Sequence, residues 1–177
     1  MILFLIGFMG AGKSTLGKMA ARQWNWTFID LDDIIESREG KTIPEIFSDQ
    51  GEDAFRHAET EALKAVDQMI QGPTIIATGG GTPCFGTNME IMNQKGITVY
   101  LKPDPETLIE RLWYQKDYRP MIKDVPEEEF PNFIKSLLAK REESYQKAEY
   151  TLEDEQISVS HLANIAWNWS KGVMPEV

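Results

Sequence analysis

Residues Gly7-Phe8-Met9-Gly10-Ala11-Gly12-Lys13-Ser14 constrain the fold of this chain more than any other stretch. They match the pattern G-x-x-x-x-G-K-[ST], placed directly after an apolar run at residues 2–6 and opening a stretch with helical spacing. Glycines let successive backbone N–H groups curl around phosphate oxygens without Cβ clashes, and a helix N-terminus adds partial positive charge. Gly10, Ala11, Gly12 and Thr15 would then contribute to binding ATP, with Lys13 spanning the β- and γ-phosphates and the Ser14 hydroxyl ligating Mg²⁺. A glycine-rich turn that binds nothing is the competing reading, and the strand-loop-helix context weighs against it.

Short runs rich in Ile, Val and Thr recur at residues 2–6, 27–30, 74–78 and 98–101, each followed by helical spacing, and a fifth strand is expected at 150–152. That alternation predicts an α/β fold with a parallel sheet covered by helices. Helices are expected at 13–23, 33–39, 43–48, 88–94, 105–114, 127–148 and 159–169. Another is expected at 52–69, where Phe55, Ala58, Ala62, Val66 and Met69 form one buried face. In the last helix Leu162, Ile165, Ala166 and Trp169 share a stripe. Residues 115–126 carry Pro120 and Pro126 and keep neither period, so they read as a mobile loop. With no internal repeat or composition break, residues 1–177 read as one domain.

Strand alternation places Asp30 and Asp32 on the same side of the chain as it leaves the second strand, at the sheet end where ligands gather. One carboxylate can hold Mg²⁺ while the other binds an acceptor hydroxyl and takes its proton; Asp33 reads as the cap of the following helix. Gly79, Gly80 and Gly81 follow the third strand and bring bare backbone to the same edge, although a plain turn would also explain them. That strand lacks the usual metal-binding aspartate, which moves the metal carboxylate to the Asp30 region. Arg56 and Glu59 can pair along one helix, and Arg119 sits where a closing loop would deliver a guanidinium to a transferring phosphate.

A formal net charge of −10 argues against a nucleic-acid partner. The single Cys84 cannot form an internal disulfide and fits a reducing compartment, with an inert thiol expected. The apolar opening is too short for a membrane span, and no basic segment precedes it as in a signal peptide. His57 and His161 lack partners at metal-ligand spacing, and Trp24 and Trp26 are expected to pack.

Taken together, these motifs resemble shikimate kinase over nearly the whole chain. They comprise the Gly7 to Ser14 loop, Asp30 with Asp32, Phe55-Arg56 with Glu59, Gly79 to Gly81, Arg119-Pro120, and Arg141 with Tyr145. The resemblance implies a three-layer α/β/α P-loop kinase fold with a five-stranded parallel sheet, a lid at about 115–126 and an acceptor region at about 32–61. It further implies transfer of the ATP γ-phosphate to the 3-hydroxyl of shikimate, giving ADP, by a monomeric cytoplasmic enzyme.

By that match Ser14 and Asp30 would serve Mg²⁺, Asp32 would bind the acceptor hydroxyls and act as or near the base, and Lys13 and Arg119 would stabilise phosphoryl charge. Arg56, Arg141 and the Gly79 to Gly81 loop would hold the acceptor, and Arg111 and Gln156 stand where the family contacts ATP. Where family members commonly read Arg-x-Pro-Leu-Tyr, this chain has Arg141-Glu142-Glu143-Ser144-Tyr145, and no arginine stands near Gln156 to stack on adenine. The competing readings are a gluconate-type or adenylylsulfate-type kinase of the same layout, and a non-catalytic module gated by nucleotide.

Overall fold

Strand β1 (Ile2–Ile6) is buried along its entire length, as a strand covered on both faces must be. In the computed structural model, which describes residues 1–119 and 121–171, β1 lies between β3 (Thr74–Ala77) and β4 (Ile97–Lys102). The edges are β2 (Thr27–Asp30) and β5 (Tyr150–Glu153), giving one five-stranded sheet of order β2-β3-β1-β4-β5 with every pair parallel. The expected strands are all present, each within two residues of its predicted ends.

Among the described residues seven helices connect and cover the sheet: α1 (Lys13–Trp24), α2 (Leu31–Glu39), α3 (Ile43–Ala65), α4 (Asn88–Lys95), α5 (Pro105–Trp113), α6 (Phe130–Tyr145) and α7 (Val159–Ser170). Helix α1 packs on β2 and β3 and against α7, α3 packs against α2 and α4, and α5 against α6. The result is the three-layer α/β/α architecture, with Phe4, Leu5, Ile76 and Val99 fully buried between the layers.

Several expectations are corrected. The two helices expected at 43–48 and 52–69 are one element with a kink at Gly51, whose φ of 82° and ψ of 178° are open to glycine but to almost no other residue. Met69 falls beyond α3, after a 3₁₀ turn at Val66–Gln68, and is exposed rather than part of the buried face. The cap of α2 is Asp30, not Asp33: its side chain accepts the Asp32 N–H, because Asp30 keeps extended backbone angles while Leu31 already begins the helix. Helix α6 starts three residues later than expected, at Phe130, because Pro131 lacks an N–H and is tolerated only in a first turn.

On α7, Leu162, Ile165 and Ala166 are buried, but Trp169 and Trp167 are both exposed. Between α5 and α6 the chain forms a 3₁₀ turn at Lys116–Tyr118 and then buries Ile122 completely, with Val125 partly buried against the same core, so apolar residues anchor the segment. Pro120, part of the expected lid, lies outside the described residues. Among the described residues no helix is long and apolar enough to cross a membrane.

Candidate active site

The carboxyl ends of the strands open into a cleft of about 920 Å³. Its walls come from separate parts of the chain: Gly10 to Thr15 after β1, Asp30 and Asp32 at the end of β2, Gly79 and Gly80 after β3, Arg111, Arg119, and Ile157 to Ser160 after β5. Gly80 lies so close to the phosphate loop that a Cβ there would stand 2.9 Å from the Met9 nitrogen. Any side chain at Gly80 would therefore push the two loops apart.

Lys13 is buried in this cleft, and its ammonium donates to the carbonyls of Gly7 at 2.8 Å and Phe8 at 2.9 Å. Burial pulls its pKa down to about 8, against the opposing pull of Asp32. An ammonium held this way remains mostly charged at neutral pH and needs an anion beside it. Arg111 donates to the Gly10 carbonyl at 3.3 Å, at the outer end of the same loop.

Across from Lys13, Ser14 donates its hydroxyl to Asp30 Oδ2 at 2.7 Å. This pairing of a hydroxyl with a carboxylate suits Mg²⁺, which takes hard oxygen donors at small octahedral distances and draws only one or two from protein when phosphates supply the rest. Among the described residues no group of three or more His, Cys, Asp or Glu could hold a metal by itself, so any metal here would depend on bound phosphate. Asp32 Oδ1 is buried without a hydrogen-bond partner among the described residues. Burial, then the neighbouring Asp30 and Glu59, push the Asp32 pKa up to about 6. At pH 7 Asp32 is thus mostly ionised but more basic than an ordinary aspartate, and a buried acceptor without a donor is where a ligand hydroxyl gains most.

The Arg119 guanidinium is held by Gln115, whose Oε1 accepts from Nε at 3.0 Å and from a terminal nitrogen at 2.7 Å. Burial lowers the Arg119 pKa and the nearby Asp32 carboxylate raises it, which places the guanidinium within electrostatic reach of the cleft floor.

Gly81, the last residue of the glycine loop, does not line the cleft, nor do Arg56 and Arg141, which lie behind the loop. Arg56 is buried, paired with Glu59 at 2.7 Å and Glu52 at 2.9 Å. Arg141 is buried with its guanidinium 5.6 Å from the centre of the Phe8 ring. The tyrosine of the same motif, Tyr145, donates its hydroxyl to the Gly80 carbonyl at 2.5 Å. Glu143 and Ser144 stand where the family has proline and leucine, and the preceding Glu142 accepts a hydrogen bond from the Tyr100 hydroxyl at 2.7 Å, which ties α6 to the sheet. Gln156 is absent from the cleft walls, and its side chain instead accepts the Glu153 N–H at 3.4 Å.

The shikimate kinase family model matches residues 9–168. This chain belongs to the shikimate kinase family. It is 49% identical over 146 residues to shikimate kinase of Azobacteroides pseudotrichonymphae, covering 82% of this chain and 85% of that one. The crystal structure of shikimate kinase from Bacteroides thetaiotaomicron superposes with a TM-score of 0.85 at 41% identity, covering 94% of this chain and 98% of the other. Shikimate kinase from Acinetobacter baumannii, solved in complex with shikimate, superposes with a TM-score of 0.80 at 33% identity, covering 99% and 95%.

Within this shikimate kinase fold, sequence reasoning missed Ile157 to Ser160, Met19 and Gln23 on the outer wall and Gln115 beside Arg119. The first group follows β5 at the same sheet end as the other loops, a signal that strand order alone carries. Nothing in the sequence marked Met19 or Gln23, which reach the cleft only because α1 begins at the phosphate loop.

Proposed function

We propose that this protein transfers the γ-phosphate of Mg·ATP to the 3-hydroxyl of shikimate, giving ADP and shikimate 3-phosphate. Family membership gives the reaction class. The observation that carries the assignment to this site is the buried, unpartnered Oδ1 of Asp32, a residue that lines the same cleft as the phosphate loop.

The phosphate loop and Lys13 bind the triphosphate, and Ser14 and Asp30, hydrogen-bonded to each other at 2.7 Å, would hold Mg²⁺. When bound, Mg²⁺ neutralises charge on the phosphate oxygens. Asp32 orients the acceptor hydroxyl and accepts its proton as the oxygen attacks phosphorus, a task suited to a carboxylate made more basic by burial. Arg119, held by Gln115, and Lys13 face the charge that spreads over the transferring group. Arg56 and Arg141 clamp the acceptor carboxylate from behind the glycine loop, which requires the loop to open so that the acceptor reaches them. Arg111 and the segment around Gln156 stand at the nucleotide end, with Ile157 to Ser160 forming the wall there.

In this reading residues 1–177 act as one monomeric domain in the cytoplasm, with 115–126 as the lid and 32–61 as the acceptor region. The single sheet serving all described elements supports the domain assignment. Coupled detection of ADP in the presence of Mg²⁺, ATP and either shikimate or gluconate tests the reading. Turnover with shikimate alone is expected, and a chain silent with both acceptors would refute it.

A further inference from the structure

A line of buried polar groups runs behind the three glycines and takes no part in the steps above. Glu59 is fully buried; its Oε2 accepts from Arg56 at 2.7 Å, and its Oε1 accepts the hydroxyl of Thr82. Thr82, also fully buried, follows Gly81 directly and opens a 3₁₀ turn. The Thr82 carbonyl accepts from Asn88 Nδ2 at 2.9 Å, and the Oδ1 of the same buried Asn88 lies 2.8 Å from the Thr60 hydroxyl. One contact with α3 and one with α4 therefore meet on the residue that follows the glycine loop, and the α4 contact is itself tied back to α3 through Thr60.

Arg56 is pinned between that loop and an aromatic ring. Its guanidinium sits 4.1 Å from the centre of Phe85, and a Cβ on Gly81 would stand 2.7 Å from one of its nitrogens. Glu52, the other carboxylate that holds it, is largely exposed and exerts a weaker grip through solvent. Glu59 is thus the group that fixes where Arg56 points. A buried carboxylate keeps one position only while its donors are in place, and Thr82 supplies the donor that does not come from Arg56 itself.

We propose that Thr82 is a positioning residue for the acceptor site: its hydroxyl holds Glu59 so that Arg56 stays aimed along Gly81, and Asn88 keeps Thr82 in register with the glycine loop. The proposal rests on the reading of Arg56 as an acceptor ligand, and it separates Thr82 from the nucleotide end of the cleft. Loss of a hydrogen bond to a buried charged group costs enough to raise the shikimate KM about tenfold in Thr82→Val, while the ATP KM changes less than about twofold. Thr82→Ser, which keeps the hydroxyl, stays within about threefold of the parent on both.

Steady-state kinetics on the three proteins make the test. An unchanged shikimate KM in Thr82→Val overturns the proposal, as do equal defects in the valine and serine variants, which would implicate the methyl group. Equal rises in both KM values would indicate general loosening and also overturn it. If Thr82→Val is recovered unfolded, Thr82→Ala is read by the same criteria. A second readout needs no turnover: the Arg56 side-chain N–H signal in ¹⁵N NMR, assigned by its loss in Arg56→Lys, should exchange faster with water in Thr82→Val. A parent protein silent with shikimate but showing this change would refute the activity and keep the coupling; an unchanged signal would refute the coupling.

Discussion

Lys13 illustrates how much a single side chain is asked to do here. Its ammonium is buried, satisfied on one side by the Gly7 and Phe8 carbonyls, and left to meet a phosphate on the other. Lys13→Ala should keep the fold, since it removes a desolvated charge rather than a packed apolar group, yet lower kcat by about a hundredfold or more because charge stabilisation in the transition state is lost. Near-parental turnover with unchanged circular dichroism would disprove the assignment. Cys84 makes the opposite case, a reactive residue type kept quiet. Burial raises its pKa above the ordinary thiol value, with Arg141 opposing, so less thiolate is present at any given pH. Alkylation by iodoacetamide should run slower than for a free cysteine at pH 8 and reach its midpoint at a higher pH than that of an unperturbed thiol. A normal rate and midpoint would contradict the burial.

At the scale of elements, the strands were legible because parallel strands buried on both faces leave continuous apolar runs, as in Ile2–Ile6. The phosphate loop and the Asp30–Asp32 pair were legible because their spacing is itself the chemistry. What sequence did not yield were features set by one backbone angle or by a distant packing partner: the join of two helical stretches into α3 and the burial of Ile122. Arg56 and Arg141 could be singled out as cations, but their place behind the glycines depends on Glu59, Phe85 and Phe8, three separate regions.

The kink in α3 is the element-level feature with a measurable cost. Gly51 has open space where a Cβ would go, so Gly51→Ala meets no clash and its effect comes from backbone conformation alone. Forcing alanine into that region costs about 1–3 kcal/mol. For a chain of this length each kcal/mol moves Tm by about 2–4 °C. Scanning calorimetry should therefore find a lower Tm for Gly51→Ala, whereas an unchanged value would mean the kink straightens freely.

For the whole molecule the notable contrast is between a net charge of −10 and a site with Lys13 and Arg119 on the cleft wall and the buried Arg56 and Arg141 behind it. Burial does most to lower the Lys13 pKa and Asp32 opposes it, while Arg119 and Arg141 each push it further down, so like charges repel within the site. Such a site stores unfavourable electrostatics that an anionic ligand relieves, and binding to the folded state alone must then raise thermal stability by mass action. At about a hundred times Kd, Mg·ADP should add roughly 2.7 kcal/mol, which corresponds to a rise in Tm of about 5–10 °C. In the proposed reading Ser14 and Asp30, which hydrogen-bond to each other here, hold the metal together with phosphate oxygens, so EDTA should cancel most of the shift produced by ADP while leaving the Tm of the ligand-free protein unchanged. A protein whose Tm ignores Mg·ADP would have no working phosphate cradle, and one whose ADP shift survives EDTA would bind nucleotide without using the Ser14–Asp30 pair.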